Sequence, residues 1–309
     1  MQRLKKLLRE SVLQTIQQTA QQAIQHDVLN TAKAAAYSGI LMLFPALLLG
    51  TTALAFMPEG NSLLDQFRVG AEQFLPADTM SLLQSYFQSR KLHSVQVLGS
   101  AVALSAYAAL GVMLSLMEGF RRAYRLPRNE GGFWALRFRA LMLGPLALVP
   151  LSAATLLLIF GHPIEQWMIA NSTHELRAIV LLLWRLARWM LAMLTTMVVL
   201  GTVYHFGTYR REHWVWVAPG AIASTLIWFP ETLLFGWYLT RRADYSIIYG
   251  SLSAGIATLV WLYMTSLSIL LGSELNGVLF RTRMEKCEAK NRALQTHPQS
   301  SSGAGIQVD

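Results

Sequence analysis

Glu231, Arg188 and Arg185 are the side chains best placed to do chemistry, because each lies inside a run that is otherwise almost free of charge. A charge at bilayer depth is costly and normally faces a partner or a cavity. Counted from Trp216, where its apolar run begins, Glu231 stands about 22 Å along a helix. Counted back from Phe206, Arg188 stands about 27 Å along the preceding run, with Arg185 one turn further. Boundaries read from a pattern carry an uncertainty of several residues, so the two depths agree. The expected arrangement is an ion pair of Glu231 with Arg188, with Arg185 as the alternate partner nearer the outer surface. The competing arrangement is a protonated Glu231 bonded to a carbonyl freed by Pro230.

Other chemistries find little to work with. The histidines are His26, His93, His162, His174, His205, His213 and His297, and their spacing offers no close His/Asp cluster of the kind a hydrolytic metal needs. Neither a metal nor a cofactor is expected. The single cysteine, Cys287, excludes an intrachain disulfide and reads as an inert cytoplasmic thiol. The sequence carries no Gly-x-x-x-x-Gly-Lys-[Ser/Thr] phosphate loop and no Gly-x-Ser-x-Gly elbow, so ATP-driven transport by this chain alone is not expected. No catalytic residue is nominated, and the chain is not expected to be an enzyme. Arg121, Arg122, Arg125 and Arg128 fall in one basic segment, Glu118–Arg139. Topology explains that segment better than nucleic acid does, and acidic lipid headgroups are its expected partners. No nucleic acid is expected.

The elements that must hold these residues are set by composition. The sequence has 309 residues, 53% of them hydrophobic and only 14% charged. Soluble proteins carry about 25% charged residues, so this is an integral membrane protein. Runs long enough to cross a bilayer as helix lie at about 34–57, 95–117, 140–160, 178–206, 214–240 and 247–273. The expected fold is therefore all-α, a polytopic membrane protein with six transmembrane helices. With the N-terminus inside, 18 of the 26 Lys and Arg fall in cytoplasmic segments, which places both termini in the cytoplasm. Residues 1–32 form a cytoplasmic amphipathic segment, with Leu4, Leu8, Leu13, Ile16, Ala20 and Ile24 on one side. That helix either lies on the membrane surface or is a plain soluble leader. Residues 33–280 form the membrane domain, and two further amphipathic surface helices are expected within Pro58–Ser94. Residues 281–309 form a charged, then disordered, cytoplasmic tail.

The last run organises the rest. Gly250, Ala254, Thr258, Trp261, Thr265, Ser268, Gly272 and Asn276 recur at steps of three and four, so they share one helix face. Small and hydroxyl side chains let a neighbouring helix approach closely and supply hydrogen bonds. The same face could instead line a polar path. Ile256, Leu259, Val260, Leu267, Leu270 and Leu271 fall on the other faces and suit lipid.

In this run Tyr245, Tyr249-Gly250-Ser251-Leu252, Trp261-Leu262-Tyr263 and Leu271-Gly272-Ser273-Glu274-Leu275-Asn276 resemble the last transmembrane helix of the YihY/BrkB family of bacterial inner-membrane proteins. Tyr249, Gly250, Trp261, Tyr263, Gly272 and Glu274 carry the match. Upstream, Ala34-Ala35-Ala36-Tyr37 with Leu43-Phe44-Pro45 resembles that family's first helix, and Trp216 to Gly220 the entry to its fifth. The resemblance covers roughly Lys33–Phe280. It implies six transmembrane helices and a multi-pass protein of the bacterial inner membrane. It implies no established activity, although some members carry a ribonuclease BN label.

The function expected from these features is transport or handling of a lipid-like or anionic solute, without ATP hydrolysis by this chain. The alternative is a structural or partner-binding membrane protein whose polar groups only lock the bundle. A membrane-bound ribonuclease is the remote third reading. Membrane lipids are the expected partners, and a homo-oligomer stays open.

Overall fold

The computed structural model describes residues 2–55, 95–127, 132–147, 149–150, 177–208, 213–241 and 252–296. Helices α1 (Gln2–Gln25), α2 (Val28–Ala55) and α3 (Val95–Ala123) come first. Then follow α4 (133–147), α5 (Arg177–Gly207), α6 (Trp214–Arg241) and α7 (Ser253–Thr296). No strand occurs among the described residues. Four of these helices are long and apolar enough to cross a membrane, over Gly99–Ala123, Leu181–Gly207, Trp214–Leu239 and Gly255–Arg292. They correspond to the spans expected at 95–117, 178–206, 214–240 and 247–273. The run at 34–57 continues as α2 to Ala55, and the run at 140–160 is described only to residue 150. The surface helices expected within Pro58–Ser94 lie outside the described residues.

Helix α7 packs against α1, α2, α3 and α6, while α2 pairs with α3 and α5 with α6. This hub explains one correction. Leu270 was expected to face lipid, yet it is fully buried and sits where a side chain on Gly119 of α3 would be. Leu267 and Leu271 also pack against the core. With neighbours on several sides, α7 buries Leu270 and leaves Leu267, Leu271 and Leu275 only partly exposed at that level.

Two boundaries differ from the pattern. Helix α2 begins at Val28, so the division expected at 32/33 falls inside its first turns. Asp27 adopts a left-handed conformation (φ 56°) and turns the chain between α1 and α2. Its carbonyl accepts from the Thr31 backbone N–H at 3.1 Å. Helix α7 runs for 44 residues to Thr296, about 66 Å. The charged segment 281–296 is thus helical, because nothing in it breaks the ladder before His297-Pro298. Pro45 stays inside α2, and Pro219 and Pro230 inside α6.

Not every small residue packs. On α3, Ala101 and Ala108 are buried, while Ala103 and Ala106 are exposed and Gly99 has open space beside it. On α1, Ala23 is buried and Thr15 and Thr19 half-buried, so the small side meets the bundle. The apolar stripe Val12, Leu13, Ile16 and Ile24 is exposed. The side chains of Leu4 and Leu8 lie outside the described residues.

Candidate functional site

A seam of hydrogen bonds joins α6 to α7. It begins at Asn276, whose Oδ1 accepts from the Gly220 backbone N–H at 2.7 Å and whose Nδ2 donates to the Val217 carbonyl at 3.0 Å. Pro219 lies between these two residues of α6. A proline lacks an N–H and its ring crowds the carbonyl four residues back, here that of Val215. The Asn276 bonds tie α7 to the α6 backbone on either side of the proline and do not replace the bond it loses. One turn along, Ser224 Oγ donates to the Ser268 carbonyl at 2.9 Å. Tyr204 of α5 reaches into the same place, its hydroxyl donating to the Ile269 carbonyl at 2.6 Å and lying 2.6 Å from Ser224 Oγ. Phe120 of α3 meets the Tyr204 ring edge-on, with centroids 5.2 Å apart.

The seam is closed here because it has no room for side chains. A Cβ added to Gly272 would overlap Ser224 Oγ and come within 2.8 Å of the Tyr204 hydroxyl. A Cβ on Gly220 would overlap the Asn276 amide and the Gly272 carbonyl oxygen. Glycine at both positions lets the two backbones come together.

Further along, Ser268 Oγ donates to Glu231 Oε2. Trp228 Nε1 donates to Thr265 Oγ1 at 3.1 Å, and Trp261 Nε1 to Thr232 Oγ1 at 3.4 Å. The face read from the sequence is thus brought together along Trp261, Thr265, Ser268, Gly272 and Asn276. Thr258 is half-buried on the same side. The Ala254 side chain, Gly250 and Tyr249 lie outside the described residues. Tyr263 packs against the core rather than joining the seam.

The partner expected for Glu231 is corrected by this geometry. Among the described residues its hydrogen bond goes to Ser268 and it forms no ion pair with Arg188. Depth along a helix fixes the level of a residue and leaves its direction around the axis open. Glu231 turns toward α7. Its second oxygen, Oε1, has no hydrogen-bond partner among the described residues. The Arg185 side chain lies outside them.

The arginine-rich end of the bundle holds the second cluster. Glu274 is 0% exposed, and its two carboxylate oxygens lie 2.9 Å and 3.0 Å from His26 Nδ1. His26 sits at the α1–α2 corner, and its carbonyl accepts from Arg122 at 3.2 Å. Glu118 accepts from Arg121 at 2.7 Å and from Arg122 at 3.1 Å. Helix α3 ends with Arg125 in a left-handed conformation (φ 52°). There the Leu126 N–H bonds to the Arg121 carbonyl at 2.9 Å, and the Arg125 N–H to the Arg122 carbonyl at 3.0 Å. This is a Schellman ending with arginine where glycine is usual. Arg281 of α7 donates to the Ala123 carbonyl at 2.6 Å, satisfying another orphan of that helix end. Arg121 and Arg122, expected to meet lipid headgroups, therefore spend donors inside the protein. Arg125 is exposed, and Arg128 lies outside the described residues.

The pairing of His26 with Glu274 is not legible in the sequence, since nothing there joins positions so far apart. The usable signal was the position of Glu274 on α7, between buried Leu270 and Val278 at four-residue steps. Among the described residues, no group of three His, Cys, Asp or Glu could hold a metal ion.

Apolar helices with their polar groups turned inward define a multi-pass helical membrane protein. The family described as "Virulence factor BrkB" matches residues 19–296, and the chain belongs to that family. Relatives include a Bacillus subtilis (strain 168) protein named ribonuclease-like protein YfkH, 26% identical over 84% of this chain and 92% of the relative. A UPF0761 membrane protein of Nitrosospira multiformis is 23% identical over 81% of this chain. Another, of Chromohalobacter salexigens, is 24% identical over 85% of it. The chain spans 57% of the length of the former and 62% of the latter. No solved structure matches it.

Proposed function

We propose that this protein handles a lipid-like solute in the bacterial inner membrane, with six spans and both termini in the cytoplasm, and without covalent chemistry of its own. The observation that carries the reading is the state of Glu231. One oxygen is held by Ser268, and the other has no hydrogen-bond partner among the described residues. A carboxyl group left half-satisfied at bilayer depth is expensive, and such groups mark pathways. The seam is tightest from Asn276 to Ser268, so Glu231 stands past a packed barrier, within the stretch that continues to Thr265 and Trp261. The free carboxyl oxygen is an acceptor, so a lipid-like solute carrying a donor or positive group suits the site better than an anionic one. The rival reading, a bundle locked by its polar groups with no transport, is favoured by the close approach of Gly220 and Gly272.

Purified protein in vesicles, assayed for lipid scrambling and for solute flux, separates the two. Wild-type protein should scramble a headgroup-labelled lipid, and Glu231→Gln should lose most of that activity at equal folding. Correctly folded wild-type protein with neither activity would establish the structural reading.

A further inference from the structure

Helices α4 and α5 share a core through Ala140, Leu143, Val199 and Val203. Beside that core they leave a groove of about 220 Å3. Phe138, Met142, Leu146 and Phe206 wall it, and each is exposed. Its polar lining comes from Arg139 and Thr208. From Arg139 to Leu146 the groove extends about 10 Å along α4. One end is therefore cationic at Arg139, the Thr208 hydroxyl being buried and donating to the Tyr204 carbonyl at 2.9 Å, and the rest is hydrocarbon.

The position of the groove in the bilayer follows from other residues. Phe133 and Trp134 are exposed in the first turn of α4, and Trp214 and Trp216 are exposed in the first turn of α6. Arg137 lies over the Phe133 ring at 3.4 Å, and Arg283 over Trp216 at 3.5 Å. Aromatic and basic side chains gathered at one level mark the membrane–water interface. Arg139 and Thr208 lie near that level, and Met142 and Leu146 run inward from it. The apolar walls and the single cation suit one acyl chain with an anionic headgroup.

We infer that this groove is a binding site for an anionic phospholipid of the facing leaflet, its phosphate at Arg139 and an acyl chain along Met142, Leu146 and Phe206. The site goes beyond the proposed handling of a lipid-like solute. A lipid can reside here in a protein that scrambles nothing, and scrambling can occur with this groove blocked.

The test is photo-crosslinking of the full chain in phosphatidylcholine vesicles doped with a phosphatidylglycerol that carries a diazirine on its acyl chain. Mass spectrometry of peptides then locates the label. Labelling should concentrate on Met142, Leu146 and Phe206. Arg139→Gln should lower it roughly fivefold, the effect of one interfacial cation on an anionic headgroup. Leu146→Trp, which fills the groove from an exposed position, should abolish it with melting unchanged. A phosphatidylcholine probe with the same chain should label no better than phosphatidylglycerol does in Arg139→Gln. Equal labelling by the two lipids, or label spread evenly over the exposed faces of α3, α5 and α6, overturns the inference. Suppression by inorganic phosphate would reveal a free-anion site and overturns it too. If either variant fails to fold, the comparison of the two lipids on the wild-type chain decides.

Discussion

His26 Nδ1 sits 2.9 Å from Glu274 Oε1, across 248 positions of sequence, and joins the α1–α2 corner to the middle of α7. Glu274 is fully buried, so the imidazole is its way out of an unsatisfied state. His26→Ala should destabilise the protein by about 1–3 kcal/mol, the cost of stranding a buried polar group. Glu274→Gln keeps a hydrogen-bonding partner and should cost less. Thermal melting in detergent measures both. A double variant whose loss equals the sum of the single losses would show that the two residues are not coupled.

The second expectation concerns Gly272. A single methyl group there meets Ser224 Oγ, the Gly220 carbonyl oxygen and the Tyr204 hydroxyl, all in close-packed helices. Gly272→Ala should lower yield and melting temperature, because overpacking a tight contact costs roughly 1–3 kcal/mol. Gly255 on the same helix and Gly99 on α3 have open space where the methyl would go. Gly255→Ala and Gly99→Ala should be neutral or stabilising by up to about 1 kcal/mol, since alanine is the better helix former. Equal losses in all three variants would show that the seam is not the close contact described.

The membrane class and the central place of α7 were legible because they rest on composition and on one helix period. Gly272, Ser268 and Asn276 could be found because small and polar residues inside an apolar run have few explanations. The partner of Glu231 was not legible. Matching depths brought Arg188 to its level, but a side chain's direction depends on helix rotation, which no count along the chain gives. Leu270 failed for a related reason. A helix with neighbours on several sides buries leucines that a two-faced helix would show to lipid. His26 and Glu274 were each visible, but their meeting depends on the sharp turn at Asp27, which a left-handed residue makes and no hydrophobic pattern records.

Arg125 ends α3 at φ 52°, a conformation that costs a residue with a Cβ roughly 1–2 kcal/mol relative to glycine. Its backbone N–H and that of Leu126 make the Schellman bonds whatever the side chain. Arg125→Gly should therefore stabilise the protein by up to about 1 kcal/mol in neutral detergent. In vesicles rich in anionic lipid the loss of an exposed cation works the other way, by about 1 kcal/mol. A gain in detergent that shrinks in anionic vesicles would identify Arg125 as a lipid contact as well as a helix end. The same gain in both would confine it to the second role.

Asn276 gives the sharpest test of the seam, since its two amide atoms do opposite jobs. Oδ1 accepts from Gly220, and Nδ2 donates to Val217, on either side of Pro219. Asn276 is almost fully buried, and so is Val217. Asn276→Leu keeps the volume and removes both bonds. It should cost about 0.5–1.5 kcal/mol for each of the two hydrogen bonds lost. Asn276→Asp keeps the acceptor, loses the donor and sets a carboxyl oxygen against the Val217 carbonyl oxygen. It should fold no better than Asn276→Leu at neutral pH, and it should recover at acid pH, where a protonated carboxyl donates again. Restoration of the Asn276→Asp melting temperature on acidification, with Asn276→Leu unchanged, would confirm that the lost donor matters. Two variants that melt like wild type at every pH would show that the Asn276 bonds do not hold α7 to α6.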